Sequence, residues 1–228
     1  MSQNTVPARS ARIKKLVTLA MLTAVTYVVM LLCKSIPDVA GFLQLEVKET
    51  IECIGGFLYG PVTAAIIAIV VAVIEMLTVS GTGPIGLVMN VLATASFCCT
   101  ASYIYKKMHS RRGAVIGLGV ATLVLTAVML LWNYLITPLY MVGVTREAVA
   151  EMLLPIFLPF NLVKGALNMA ATLIIYKPVV TALRKANLVP PSHDVHAAPK
   201  KLNGGFWLFT IVLLATAIVT ALVLMGKL

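Results

Sequence analysis

Long apolar stretches separated by short polar ones dominate this chain, and their spacing predicts helices. Residues 16–33 run without a charge between Lys15 and Lys34. A polar loop follows at 34–48, with Pro37, Asp38 and Gly41. A short apolar segment, Glu49–Tyr59, carries Glu52 and ends at Gly60-Pro61. Helices are then expected at 62–79 (with Glu75 near its end), at 86–105 after a glycine turn at 80–85, and at 113–136 after the basic loop 106–112. A polar excursion at 137–151 leads into 152–176, a polar linker spans 177–205, and residues 206–225 form a last apolar helix. Several of these stretches reach the ~20 apolar residues that cross a bilayer.

One point of the pattern is ambiguous, because residues 53–74 carry no charge and could form one helix through Gly60-Pro61. The basic residues decide it. With a break at Gly60, three loops share one side, and they hold Arg9, Arg12, Lys14, Lys15, Lys106, Lys107, Arg111, Arg112, Lys177, Arg184, Lys185, Lys200 and Lys201. That is thirteen of the 18 Lys and Arg, the bias expected of cytoplasmic loops. The expectation is therefore seven helices, a cytoplasmic N-terminus and an external C-terminus. The second segment is too short for a full crossing and is tolerable only if protein covers it. Residues 1–15 read as a basic cytoplasmic tail, 16–186 as a six-helix core, 187–205 as a linker and 206–228 as an additional transmembrane helix.

Composition agrees with an all-α polytopic membrane bundle. The chain is 60% hydrophobic and 11% charged, with a mean hydropathy of +0.99, whereas soluble domains carry about 25% charged residues. Unalternating apolar runs exclude a β-barrel. The net charge of +10 is explained by topology and contact with anionic lipid. No aromatic-interleaved basic motif points to nucleic acid. Cys33, Cys53, Cys98 and Cys99 form no C-x-x-C and read as apolar filler. The first helix is followed by no small-residue cleavage site and is expected to be an anchor.

Candidate chemistry centres on Pro159-Phe160-Asn161-Leu162-Val163-Lys164-Gly165, inside an apolar run. Asn161 and Lys164 are three apart and share a helix face. An ammonium facing lipid would cost about 2.5–3.5 kcal/mol, so an intramembrane lysine marks either a functional site or a bundle-packing pair with Glu75 or a backbone carbonyl. At 1.5 Å per residue, Asn133, Asn161 and Lys164 all fall roughly 12–18 Å below the external surface. Glu52, Glu75 and Asn90 sit near external helix ends, as a possible pocket mouth, while Asn168 is the deeper exception. Polar groups confined to the outer half suggest a pocket open outside and sealed below, not a pore. Two asparagines and a lysine flanked by Trp132, Tyr134, Phe157 and Phe160 suit a flat heteroaromatic ligand with amide-like edges. The same aromatics also fit an ordinary interfacial belt.

Other motifs carry less. Gly81-Thr82-Gly83-Pro84-Ile85-Gly86 matches G-x-G-x-x-G but lies in an external turn with no preceding strand. There is no phosphate-binding loop for ATP. His193-Asp194-Val195-His196 has metal-like spacing without a third ligand nearby. No catalytic base is placed for enzyme chemistry, and no metal or cofactor is expected. Ala20-x-x-x-Ala24 is a small-residue pattern that lets another helix approach closely.

Taken together, Gly55-Gly56-Phe57-Leu58-Tyr59-Gly60-Pro61, Asn133-Tyr134 with Pro138-Leu139-Tyr140, and the segment 159–165 resemble the S components of energy-coupling factor (ECF) vitamin transporters, most closely the riboflavin-specific RibU type. The resemblance covers about 13–186. It implies a six-helix bundle with an external flavin pocket, capped by the loop after the first helix, where Leu45 falls. It implies that the flavin ring is held by the residues matching Asn133, Asn161 and Lys164. It further implies a membrane-embedded coupling subunit docking on Ala20 and Ala24, and two ATPase subunits that drive release. The segment Leu45-Glu46-Val47-Lys48-Glu49 departs from the aspartates common there, and residues 206–225 are extra to the core. An S component for another vitamin or heterocycle, or a non-transport membrane scaffold with a structural Lys164, are the alternatives.

Overall fold

The computed structural model describes residues 8–141, 143–189 and 204–227, so the linker positions Pro190, Pro191, His193, Asp194, His196, Lys200 and Lys201 lie outside the described residues. Among the described residues eight α-helices follow one another: α1 (Ala8–Cys33), α2 (Glu49–Tyr59), α3 (Pro61–Thr78), α4 (Gly83–Met108), α5 (Arg111–Tyr140), α6 (Arg146–Met152), α7 (Leu158–Lys185) and α8 (Gly204–Leu224). A π-helical turn, Leu153–Phe157, joins α6 to α7. Six stretches among the described residues are long and apolar enough to cross a membrane, with α6, the π turn and α7 together forming one of them. The protein is an all-α multi-pass membrane bundle.

The helix ends differ from the expected ones in a consistent direction. α1 begins at Ala8, α4 runs to Met108, α5 starts at Arg111 and α7 continues to Lys185. Basic residues at these ends are good helix formers whose stems lie along apolar surface while the charge reaches water. They extend the helices rather than ending them, so Arg9 to Lys15 belong to α1 and not to a tail. α5 also continues through Pro138 to Tyr140, and the excursion before α7 contains α6, capped by Thr145 Oγ1 accepting from Ala148 N.

The break at Gly60 falls where loop charges placed it. Gly60 has φ +95°, a left-handed conformation that side chains disfavour. Its N–H donates to Gly56 O at 2.7 Å, closing α2, and Pro61 opens α3 at the position that lacks an N–H partner in any case. Residues Glu49 through Gly56 are all buried. Protein therefore covers this short helix on every side, as a partial crossing requires.

α2 is the element around which the core is assembled. Cys53 packs with Phe97, Cys98 and Ala101 of α4 and with Leu118, Ala121 and Leu125 of α5. Ile51 and Ile54 pack with Leu22, Ile67, Val71 and Val180 from α1, α3 and α7. At the basic end, Tyr105 and Tyr176 hydroxyls lie 3.1 Å apart, Thr18 Oγ1 donates to Leu188 O at 3.4 Å, and Lys15 Nζ sits 5.5 Å from the Tyr59 ring. The start of α1 and the ends of α2, α4 and α7 thus share one face.

Candidate functional site

At the opposite end the helices part around a cavity of about 210 Å³. Its wall takes Lys34 from the loop after α1, Glu75 from α3, Asn90 from α4, Asn133 from α5, and Phe160, Asn161 and Lys164 from α7. Phe42, Leu43, Gln44 and Glu46 line it from the loop between α1 and α2, and Ser80, Gly81 and Thr82 from the turn before α4. That turn, which carries the G-x-G-x-x-G spacing, is part of the rim. A wider depression of about 430 Å³ lies along Lys177, Pro178, Thr181, Ala182 and Lys185. Its lining comes from α7 alone.

The loop folds back over the cavity. Val39 and Leu43 pair their backbones, Val39 N to Leu43 O at 2.8 Å and Leu43 N to Val39 O at 2.9 Å. Phe42 meets Phe157 edge-on at 5.9 Å. Leu45 is buried and packs with Val39, Phe160, Val163 and Ala221, and it does not line the cavity. Asn168 pins the end of the loop: its Nδ2 donates to Glu46 O at 2.8 Å, and its Oδ1 accepts from Thr50 N at 3.0 Å. Asn161, Lys164 and Asn168 recur at helical spacing on one face, which was the available signal for this third residue.

Each of the three central side chains is oriented by its own helix. Asn133 Nδ2 donates to Met129 O at 2.7 Å, and its Oδ1 accepts from Thr137 Oγ1 at 2.9 Å. Asn161 Nδ2 donates to Phe157 O at 2.8 Å. One amide N–H of each remains for a ligand. Lys164 Nζ lies 2.8 Å from Glu49 Oε1 and 3.6 Å from Glu46 Oε2. The approach to Glu49 lacks hydrogen-bond directionality and is an ion pair only.

Lys164 belongs to a wider ionic array. Lys48 Nζ sits 2.8 Å from Glu75 Oε2 and 3.1 Å from Glu46 Oε2. Lys34 Nζ reaches Glu75 Oε1 at 3.1 Å and Gln44 Oε1 at 2.8 Å, and Asn90 Nδ2 donates to Glu75 Oε2 at 3.0 Å. Glu75 therefore pairs with the loop lysines, and the partners of Lys164 are Glu49 and Glu46. In the loop, burial alone would push the Glu46 carboxyl up, but Lys48 and Lys164 together hold it below the usual range. Burial would likewise lower Lys48, and Glu46 and Glu75 instead raise it above an ordinary lysine. Removing one member of such a buried array costs about 3–5 kcal/mol, because the other charge is left uncompensated.

Several expected residues stand elsewhere. Glu52 is buried, both its oxygens lack hydrogen-bond partners, and it does not line the cavity. It follows Glu49 by three residues, which places it a turn deeper on the same face, below the floor rather than at the mouth. Of the four aromatics, Phe160 alone lines the cavity, while Phe157 is buried under Phe42. Trp132 packs into the core beside α4 and α5, and Tyr134 is exposed with Arg146 5.6 Å from its ring. All four cysteines are free thiols, with Cys53 and Cys98 sulfurs 3.3 Å apart. No group of three or more metal-ligating side chains occurs among the described residues. Ala20 and Ala24 are exposed on the outer surface of α1.

A bundle with an enclosed polar chamber beneath one face, floored by apolar core, defines a membrane component that captures a small solute. The chain belongs to the family of ECF transporter substrate-specific components, which residues 14–176 match. It is similar to the riboflavin transporter RibU of Staphylococcus aureus, at 32% identity over 75% of this chain and 93% of that protein. The riboflavin transporter FmnP of Bacillus subtilis is 27% identical over 78% of this chain and 99% of its own. A solved S component of a bacterial ECF transporter superposes with a TM-score of 0.64 at 32% identity, covering 76% of this chain and 99% of that one. α8 begins after the family match ends.

Proposed function

We propose that this chain captures riboflavin on the external side of the membrane for an ECF importer. The observation that carries the reading is the convergence of Asn133, Asn161 and Lys164 on one chamber. Similarity to riboflavin transporters in two organisms supports the choice of vitamin. Asn133 and Asn161 would read the pyrimidine edge of the ring. The ammonium of Lys164 has three donors; Glu49 and Glu46 balance its charge as ion-pair partners, and its N–H groups would serve a ring acceptor. Sites for drug-sized ligands occupy ~300–1,000 Å³, so the loop at 34–48 moves outward when the vitamin enters.

The shared face of basic helix ends supports a cytoplasmic N-terminus, with the chamber and the end of α8 outside. Residues 16–186 would form the substrate-binding core and 187–205 the linker. Ala20 and Ala24 present a small-residue strip to a membrane-embedded coupling subunit, and two separate ATPase subunits would supply the energy. Purified from a flavin-replete host, the protein is expected to show flavin absorbance that Asn161→Ala diminishes. A colourless protein with no thermal shift on adding riboflavin would overturn the choice of ligand.

A further inference from the structure

We propose that α8 is a positioning element for the substrate chamber: its outer end seats the loop at 34–48 in the closed position. The idea rests on the capture reading only in its functional consequence. α8 turns small side chains inward, with Thr210, Ala217 and Ala221 buried, while Leu208, Ile211, Val219 and Val223 face outward. Small inward residues allow close packing on α7. Near its end, Ala221, Leu224 and Met225 join one apolar cluster with Val39, Leu43 and Leu45 of the loop and Phe160 and Val163 of α7.

The loop spans both environments: Phe42, Gln44 and Glu46 line the chamber, Val39 and Leu45 belong to the cluster that α8 completes, and Leu43 belongs to both. Moving the loop outward therefore strips apolar area from Leu224 and Met225 as well as breaking the ion pairs of Glu46 and Lys48. α8 contributes no group to the chamber lining, so its effect is on how long the loop stays shut and not on what the chamber recognises. Leu224 and Met225 are positioning residues in this sense.

Amide hydrogen exchange on the full chain without ligand tests the seat directly. In Leu224→Ala/Met225→Ala, the amides of Val39 and Leu43, which pair with each other, should exchange about tenfold faster than in the parent, while α4 and α5 amides keep their protection. Leu213→Ala, which loosens α8 against the other core cluster, should leave the loop unchanged. Equal protection in the double variant and the parent, or an equal rise in Leu213→Ala, would overturn the proposal. With riboflavin as probe, the double variant should release it several-fold faster and take it up no more slowly, because the loop opens more readily. Faster loop exchange in a protein that binds no riboflavin would leave the seat standing and remove the choice of vitamin.

Discussion

The ammonium of Lys164 lies 2.8 Å from Glu49 Oε1, joining α7 to the first turn of α2 at the floor of the chamber. The pair makes Lys164 a structural cation, the proposed function makes it a ligand donor as well, and a two-variant design separates the roles. Lys164→Met alone leaves Glu49 buried without its charge partner and should cost about 3–5 kcal/mol of stability. Lys164→Met/Glu49→Gln removes both charges and should recover most of the melting temperature. Riboflavin affinity should stay about 10- to 100-fold weaker in both, the loss of a charged hydrogen bond worth about 1.5–3 kcal/mol. Thermal melts beside ligand titrations read the two effects; affinity that recovers together with stability would make Lys164 purely structural.

The asparagines should behave differently. Their amides bond within their own helices, Asn133 to Met129 O and Asn161 to Phe157 O, and neither holds a charge in place. Asn161→Ala and Asn133→Ala should each weaken riboflavin by about 5- to 150-fold, from about 1–3 kcal/mol of unpaired ring edge. Melting of the ligand-free protein should change far less than for Lys164→Met. Fluorescence quenching of riboflavin gives the affinities.

Stability should form a plateau in pH bounded by the loop pair. Glu46 is held below its unfolded value, so its contribution is present above about pH 4.3 and is lost as pH falls through the lowered folded value. Lys48 is raised, so its contribution is complete below about pH 10.4 and fades only as pH rises through the higher folded value. Melting temperatures across pH should therefore fall on the acid side, and Glu46→Gln should flatten that limb. An acid limb unchanged in Glu46→Gln would assign it to other carboxylates.

Docking and capture should be separable at α1. Ala20→Leu/Ala24→Leu adds bulk on an exposed helix surface where close approach of another helix needs small residues. Riboflavin binding by the purified protein should be unchanged, while uptake by cells carrying the complete importer falls by about tenfold or more. Unimpaired uptake would move the coupling surface elsewhere on the bundle.

The parts of this molecule that were legible in its sequence are those fixed by depth. Counting 1.5 Å per residue from the helix ends put Asn133, Asn161 and Lys164 at one level, and they line one chamber. The positive-inside bias located the break at Gly60, whose φ of +95° ends α2. Depth carries no information about a loop that folds back, however. Glu46 and Lys48 read as loop charges and Glu49 as the start of a short segment, yet all three are buried and hold Lys164 and Glu75. The same blindness put Glu52 at the mouth, since distance from a helix end does not say which way a side chain points. Charge does not mark a helix end either, because lysine and arginine continue helices well.

At about 1.5 Å per residue, the 11 residues of α2 cover roughly 16 Å, little more than half of a ~30 Å hydrocarbon layer. Its far end, Tyr59, reaches the basic face beside Lys15, and its near end, Glu49, stops under Lys164. The unfilled remainder of that column, about 14 Å, coincides with the chamber and the strap above it. The chain gains an interior vestibule by omitting turns from one central rod. Its surrounding helices can then stay long and fully hydrogen-bonded against lipid, and inserting three or four residues ahead of Glu49 would plug the vestibule with backbone.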